Sequence, residues 1–66
     1  MKRYKFFALD GNGRVDRGFD SSLPGDTAAI AFAGAIDGAA KVEILQEGRM
    51  IASILFGNGK AIVIGG

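Results

Sequence analysis

Sixty-six residues with no cysteine and no histidine exclude disulfide staples, thiolate chemistry and the imidazole behind most neutral-pH proton shuttles and transition-metal sites. Eight Lys and Arg against seven Asp and Glu leave a net charge of +1, too little for overall charge to point to a polyanion. One domain of this size buries only about 60% of its unfolded surface, so oligomerisation is an expected supplement to its core.

The charge is unevenly spread. Lys2, Arg3, Lys5, Arg14 and Arg17 crowd the first segment against Asp10 and Asp16, whereas Gly18 to Glu47 sets Asp20, Asp26, Asp37, Glu43 and Glu47 against Lys41. A basic end and an acidic middle suit self-docking as readily as contact with a polyanion. The apolar patch after the basic start is cut by Asp10, short of the about 7–15 residues of a signal-peptide core, and we expect a cytoplasmic protein.

Lys2 to Leu9 reads as a strand, rich in aromatics; Asp10-Gly11-Asn12-Gly13 reads as a turn, and Arg14 to Asp20 as the returning strand. With Asn12 and Gly13 as a two-residue loop, Phe6 faces Phe19 and Ala8 faces Arg17, and Tyr4, Phe6, Ala8, Val15 and Phe19 share one face. The other face carries Lys5, Arg14 and Asp16, as a solvated side should, but also Phe7 and Leu9.

Pro24 to Ala40 reads as an Ala-rich helix capped by Ser21 or Ser22 and stopped at Gly38. At 100° per residue, Ala28, Ala29, Phe32, Ala35, Ile36, Ala39 and Ala40 form the expected core side, and Ile30, Ala33 and Gly34 the outer one. Such a helix, apolar nearly all round, either meets another subunit or has a back that is merely small and solvated. The uncharged run between Asp26 and Asp37 is half of the about 20 residues a membrane span needs, so no membrane contact is expected.

Lys41 to Gln46 and Arg49 to Phe56 read as strands joined by Glu47-Gly48, with Ile44 opposite Ile51 and Leu45 opposite Met50. One face then holds Val42, Ile44, Ile51 and Leu55, the other Leu45, Met50, Ala52, Ile54 and Phe56. Gly57-Asn58-Gly59-Lys60 repeats the earlier turn, and Ala61 to Ile64 makes a fifth strand, an edge suited to strand exchange or sheet extension.

The expected fold is therefore α+β: one antiparallel sheet, ββαβββ, with the helix on one face. Apolar residues on both faces mark a sheet covered twice, and one helix covers one face. A second copy in a two-fold dimer is the expected cover, with an unidentified protein partner as the alternative. Phe7, Leu9, Ile30, Leu45, Met50, Ile54 and Phe56 are the expected interface.

The remaining motifs read as structure. Gly11-Asn12-Gly13 lacks the third glycine of a dinucleotide loop, and Gly57-Asn58-Gly59-Lys60-Ala61 lacks the spacing glycine and the Ser or Thr of a phosphate loop. Asp10, Asn12 and Asp16 resemble the start of a calcium loop, but Arg14 takes a ligand position. Asp10 with Asp16 and Glu43 with Glu47 are expected at hairpin ends or on a wet strand edge, solvated and not paired for acid-base work. No catalytic, cofactor or metal residue is assigned. Lys2, Arg3, Lys5, Arg14 and Arg17 among Tyr4, Phe6 and Phe7 are the candidate nucleic-acid contacts, opposed by the acidic middle.

The pattern Arg3-Tyr4-x-Phe6, Asp10-Gly11-x-Gly13, Leu23-Pro24 ahead of an Ala-rich helix, Val42-Glu43-Ile44 and Gly48-Arg49-x-Ile51 resembles a family of short uncharacterised bacterial proteins, a domain of unknown function. The resemblance covers residues 1 to 54 and implies no activity, cofactor or catalytic residue. Leu23-Pro24-Gly25 ahead of Asp26-Thr27 also resembles HicB-type antitoxin domains. Here the two HicB motifs are fused and Ala28-Ala29 follow where acidic residues are usual. That likeness implies toxin blocking or operator binding by a dimer. The functional expectation is a noncatalytic interaction module; the competing ones are a HicB-like regulator and a ligand binder or enzyme with its site between subunits.

Overall fold

The computed structural model describes residues 1–65, leaving Gly66 outside the described residues. In chain order the elements are β1 (Lys2–Leu9), β2 (Val15–Leu23), α1 (Asp26–Gly34), β3 (Lys41–Gln46), β4 (Arg49–Gly57) and β5 (Lys60–Gly65). The fold is α+β, with the ββαβββ order expected from the sequence. All five strands form one sheet in the order β2-β1-β3-β4-β5, every neighbouring pair antiparallel. Since β2 and β3 both oppose β1, they run parallel to each other, and the link between them must cross the sheet. That link contains α1, which lies against β3 and β4 and touches β2.

One face of the sheet makes the core. Tyr4, Phe6 and Ala8 of β1, Val42 and Ile44 of β3, and Ala52 and Ile54 of β4 bury themselves against Ala29 and Ala33 of α1. Alternation along the strands puts these side chains on one side, and the two alanines let the helix sit close. Phe19, Leu23, Ile30, Phe32, Ile36, Ala39, Ile51 and Phe56 rim the cluster, with the Phe6 and Phe32 rings 4.6 Å apart. Each large side chain buried here contributes about 1.5–3 kcal/mol.

Two bulges revise the expected faces. Phe6 pairs with Phe19 and Ala8 with Arg17, as expected, but Leu9 then pairs with Val15, leaving Asp16 as the extra residue. The cause is a longer loop. Asp10 accepts hydrogen bonds on Oδ1 from the backbone N–H groups of Asn12 (2.9 Å) and Arg14 (3.0 Å), and Gly13 takes φ +82°. The three-residue loop Gly11–Gly13 shifts the pairing of Leu9 by one residue, and the bulge at Asp16 takes up that shift, so Val15 lies on the face opposite Phe19.

In the second hairpin Leu45 pairs with Met50 across Glu47-Gly48, as expected. Ile44 then pairs with Ala52 instead of Ile51, which is the extra residue. Beyond it every side chain of β4 is reversed: Ala52, Ile54 and Phe56 face the helix, and Leu55 faces away. Ile54 and Phe56, expected on the uncovered face, belong to the covered one, with Ile54 only 1% exposed.

The helix is shorter than expected and turned. It starts from Gly25, with Ser21 and Ser22 inside β2, and ends at Gly34. N–H bonds from Ala35 to the Phe32 carbonyl and from Ile36 to the Ala33 carbonyl, both 3.1 Å, close its last turn. Gly38 (φ +80°) serves the turn beyond. Ala29 and Ala33 are fully buried and Ile30 packs on the core, while Ala31, Gly34 and Ala35 are exposed. The core side is thus rotated by roughly 70° from the expected one at 100° per residue. Ile30 is thereby a core contact, and the back of the helix is small and solvated.

Candidate functional site

Opposite the helix, register lines the side chains into rows across the strands. Val15, Leu9, Lys41, Leu55 and Ile62 form one row; Gly18, Phe7, Glu43, Ser53 and Ile64 the next; Asp20, Lys5, Leu45 and Met50 a third. No element of the described chain covers this face. Its apolar members are Leu9, which neighbours bury, the half-buried Phe7 and Leu45, and the exposed Val15, Met50, Leu55, Ile62 and Ile64.

Polar groups sit inside this apolar surface. Lys41 and Glu43, adjacent on the outward side of the central strand, form an ion pair at 3.5 Å. Lys5 reaches Asp20 at 3.9 Å and lies 6.0 Å from the centre of the Phe7 ring. Ser53 is buried, and its hydroxyl donates to Met50 Sδ at 3.4 Å. Among the described residues no buried side-chain nitrogen or oxygen lacks a partner.

Of the expected interface residues, Phe7, Leu9, Leu45 and Met50 lie together on the open face, whereas Ile30, Ile54 and Phe56 pack on the helix side. Leu55, Ile62 and Ile64 take their place. Reading the sequence missed them because the Ile51 bulge has no residue signal: neither a glycine nor a proline marks it.

The five basic residues do not converge. Lys2, paired with Leu23, projects on the helix side, Arg3 and Lys5 on the open side, and Arg14 lies at the hairpin tip. Arg17, on the helix side, donates from Nη2 to the Asp37 carbonyl at 2.6 Å, pairs with Asp16 at 3.4 Å and lies 5.9 Å from the Phe19 ring centre. It ties the segment after the helix to β2. Tyr4 and Phe6 are buried and offer no ring for base stacking.

Where β1 outruns β3, the sheet has a notch. Pairing of β1 with β3 ends at Lys5 and Leu45, while β2 follows β1 to Lys2. Arg3, Lys5, Asp20, Leu45, Glu47 and Gly48 line the resulting depression of about 540 Å³ beside Tyr4. On the covered side Tyr4 donates its hydroxyl proton to Asp26 Oδ1 at 2.7 Å, in the first turn of α1. Burial, helped by that bond and by the carboxylate charge, pushes the phenol up to about 12.

With this geometry in hand, the molecule is an α+β domain with one open sheet face. No family model matches the chain, and neither a curated protein nor a solved structure matches it. Among the described residues no helix is long and apolar enough to cross a membrane.

Proposed function

We propose that this protein is a noncatalytic assembly module of the cytoplasm, working as a homodimer in which a second copy covers the open face of the sheet. One observation carries the reading: Phe7, Leu9, Leu45, Met50, Leu55, Ile62 and Ile64 share one face and nothing in the described chain lies over it. A wet face of an antiparallel sheet is normally polar, and large contiguous apolar patches mark contact surfaces. The Lys41–Glu43 pair favours a copy of the same chain as occupant. A two-fold axis beside the pair brings each ammonium to the other copy's carboxylate, so the surface complements itself. The nucleic-acid reading has less support, since the basic residues are dispersed and two of their three aromatic neighbours are buried.

Light scattering on the native chain and on Leu55→Lys tests the proposal. The native protein is expected at two or more times the chain mass of 6.8 kDa, and the variant at half the native mass. A native monomer, or a variant as dimeric as the native chain, would refute it.

A further inference from the structure

The sheet has two edges, and they are built differently. Edge β2 carries Asp16, Arg17 and Asp20, a glycine at position 18 and the bulge at Asp16, all devices that discourage another strand from adding. Edge β5 has no bulge, and its one charge, Lys60, and its one glycine, Gly65, stand at its two ends. After Lys60 it runs Ala-Ile-Val-Ile-Gly with no charge, no proline and no register shift. Ile62 and Ile64 are 58% and 46% exposed on the open face, and Val63 is 50% exposed on the helix side, where α1 does not extend over it.

The backbone groups free on this edge follow from the register. Gly57 and Lys60 flank a two-residue turn whose residues, Asn58 and Gly59, take φ 52° and 71°, so they form a hydrogen-bonded pair. Bonded and non-bonded pairs alternate from there. Lys60, Ile62 and Ile64 therefore spend their N–H and C=O groups on β4, and Ala61, Val63 and Gly65 point theirs outward.

We infer that β5 is an assembly edge that pairs antiparallel with β5 of a second copy about a two-fold axis at Val63. The strand is itself the argument for that occupant, because residues 61–65 read almost alike from either end. An axis at Val63 sets Val63 against Val63, Ile62 against Ile64 on the open face, and Ala61 against Gly65. All three outward residues then exchange bonds, about six in total across the axis. Each Lys60 falls beyond the paired segment at opposite ends, so like charges do not meet. The inference shares with the proposed function the need for a second copy, but it uses the edge and not the face.

The chain has no cysteine, so an introduced one is its sole thiol. In this register Val63→Cys meets its own copy at a Cα separation of about 5.5 Å, inside the range of about 4.4–6.8 Å that a disulfide spans. Ala61→Cys meets its copy only about 13 Å along the strand, beyond reach. Under mild oxidation Val63→Cys is expected to become a covalent dimer and Ala61→Cys to stay single. Equal linking at both positions overturns the register. No linking through position 63, with the fold intact by circular dichroism, overturns the edge dimer, as it must if β5 instead takes an extended segment of another protein. Repeating the experiment in Leu55→Lys separates the two surfaces. Linking at 63 that survives there upholds the edge even if the face reading has failed. A chain that loses mass on Leu55→Lys but never links through 63 overturns the edge alone.

Discussion

Ile54 and Leu55 are neighbours in β4 with similar chemistry, and they stand for the two faces of the sheet. Ile54 sits under the helix at 1% exposure in a cluster with Phe6, Val42, Ile44 and four alanines, with no charged group in it; Leu55 stands on the open side at 38%, in the same row as Lys41. Among the described residues a nine-residue helix is the only helical cover, and it covers one face as far as β4. The open face differs less in its apolar content than in what is mixed into it. Lys41 with Glu43 and Lys5 with Asp20 are partly exposed pairs, worth at most about 1 kcal/mol each. Their value lies elsewhere: charges within an apolar surface penalise indiscriminate collapse and reward the one docking that satisfies them.

Substituting the same lysine on either side of the sheet makes the contrast measurable. Ile54→Lys places an unpaired ammonium in the core, at a cost of about 3–5 kcal/mol or more. A domain of 66 residues holds about 3–10 kcal/mol in all at the usual 0.05–0.15 kcal/mol per residue. Cooperative thermal unfolding is therefore expected to disappear in that variant, and a clear transition near the native one would mean that the core is not where the structure places it. Leu55→Lys should leave the monomer's unfolding free energy within about 0.5 kcal/mol of native, while weakening the concentration dependence that association through the open face gives the denaturant midpoint. Were Leu55→Lys to unfold the chain as Ile54→Lys does, the two faces would be equally load-carrying and the open one would belong to the monomer's own core.

The same pair of residues shows how far a sequence alone can be read. Element positions were legible to within a residue in four strands, because Asn12-Gly13, Glu47-Gly48 and Asn58-Gly59 punctuate them, whereas β2 runs three residues past its expected end, through the serines expected to cap the helix. The α+β class and the presence of an uncovered face followed from that. Faces were legible only up to each bulge. One inserted residue reverses every later side chain, and whether Ile51 or Ala52 opposes Ile44 depends on what the core accepts, a tertiary choice without a local signal. The outcome is physically sensible: the bulge exchanges Leu55 for Ile54 and Phe56 under the helix. Rotation of α1 was illegible for a related reason. With alanine on every side, no strip of polar residues fixes which side faces out, and Ile30, Phe32 and the short exit to β3 decide it. Strand order, and with it the notch beside Arg3 and Lys5, lay wholly beyond the sequence.

The smallest expected effect tests the margin of the covered face, where Tyr4 joins the sheet to the start of the helix. Its ring is buried and its hydroxyl donates to Asp26, whose carboxylate also lies favourably at the positive end of α1. Tyr4→Phe keeps the buried ring and removes the bond, and should lower the melting temperature by several degrees without changing the mass in solution. The pH dependence gives a sharper reading. Folding holds the phenol at about 12 against 10.0 in the unfolded chain, so the unfolded state loses this proton first as the solution becomes alkaline. The stabilisation is complete below pH 10 and is lost as the pH rises through about 12. Lysines also titrate in that interval, which is why the difference between native chain and variant is the informative quantity. That difference should shrink between pH 10 and 12; a gap that stays constant would mean that the phenol titrates alike in both states and that the bond to Asp26 does not hold the helix to the sheet.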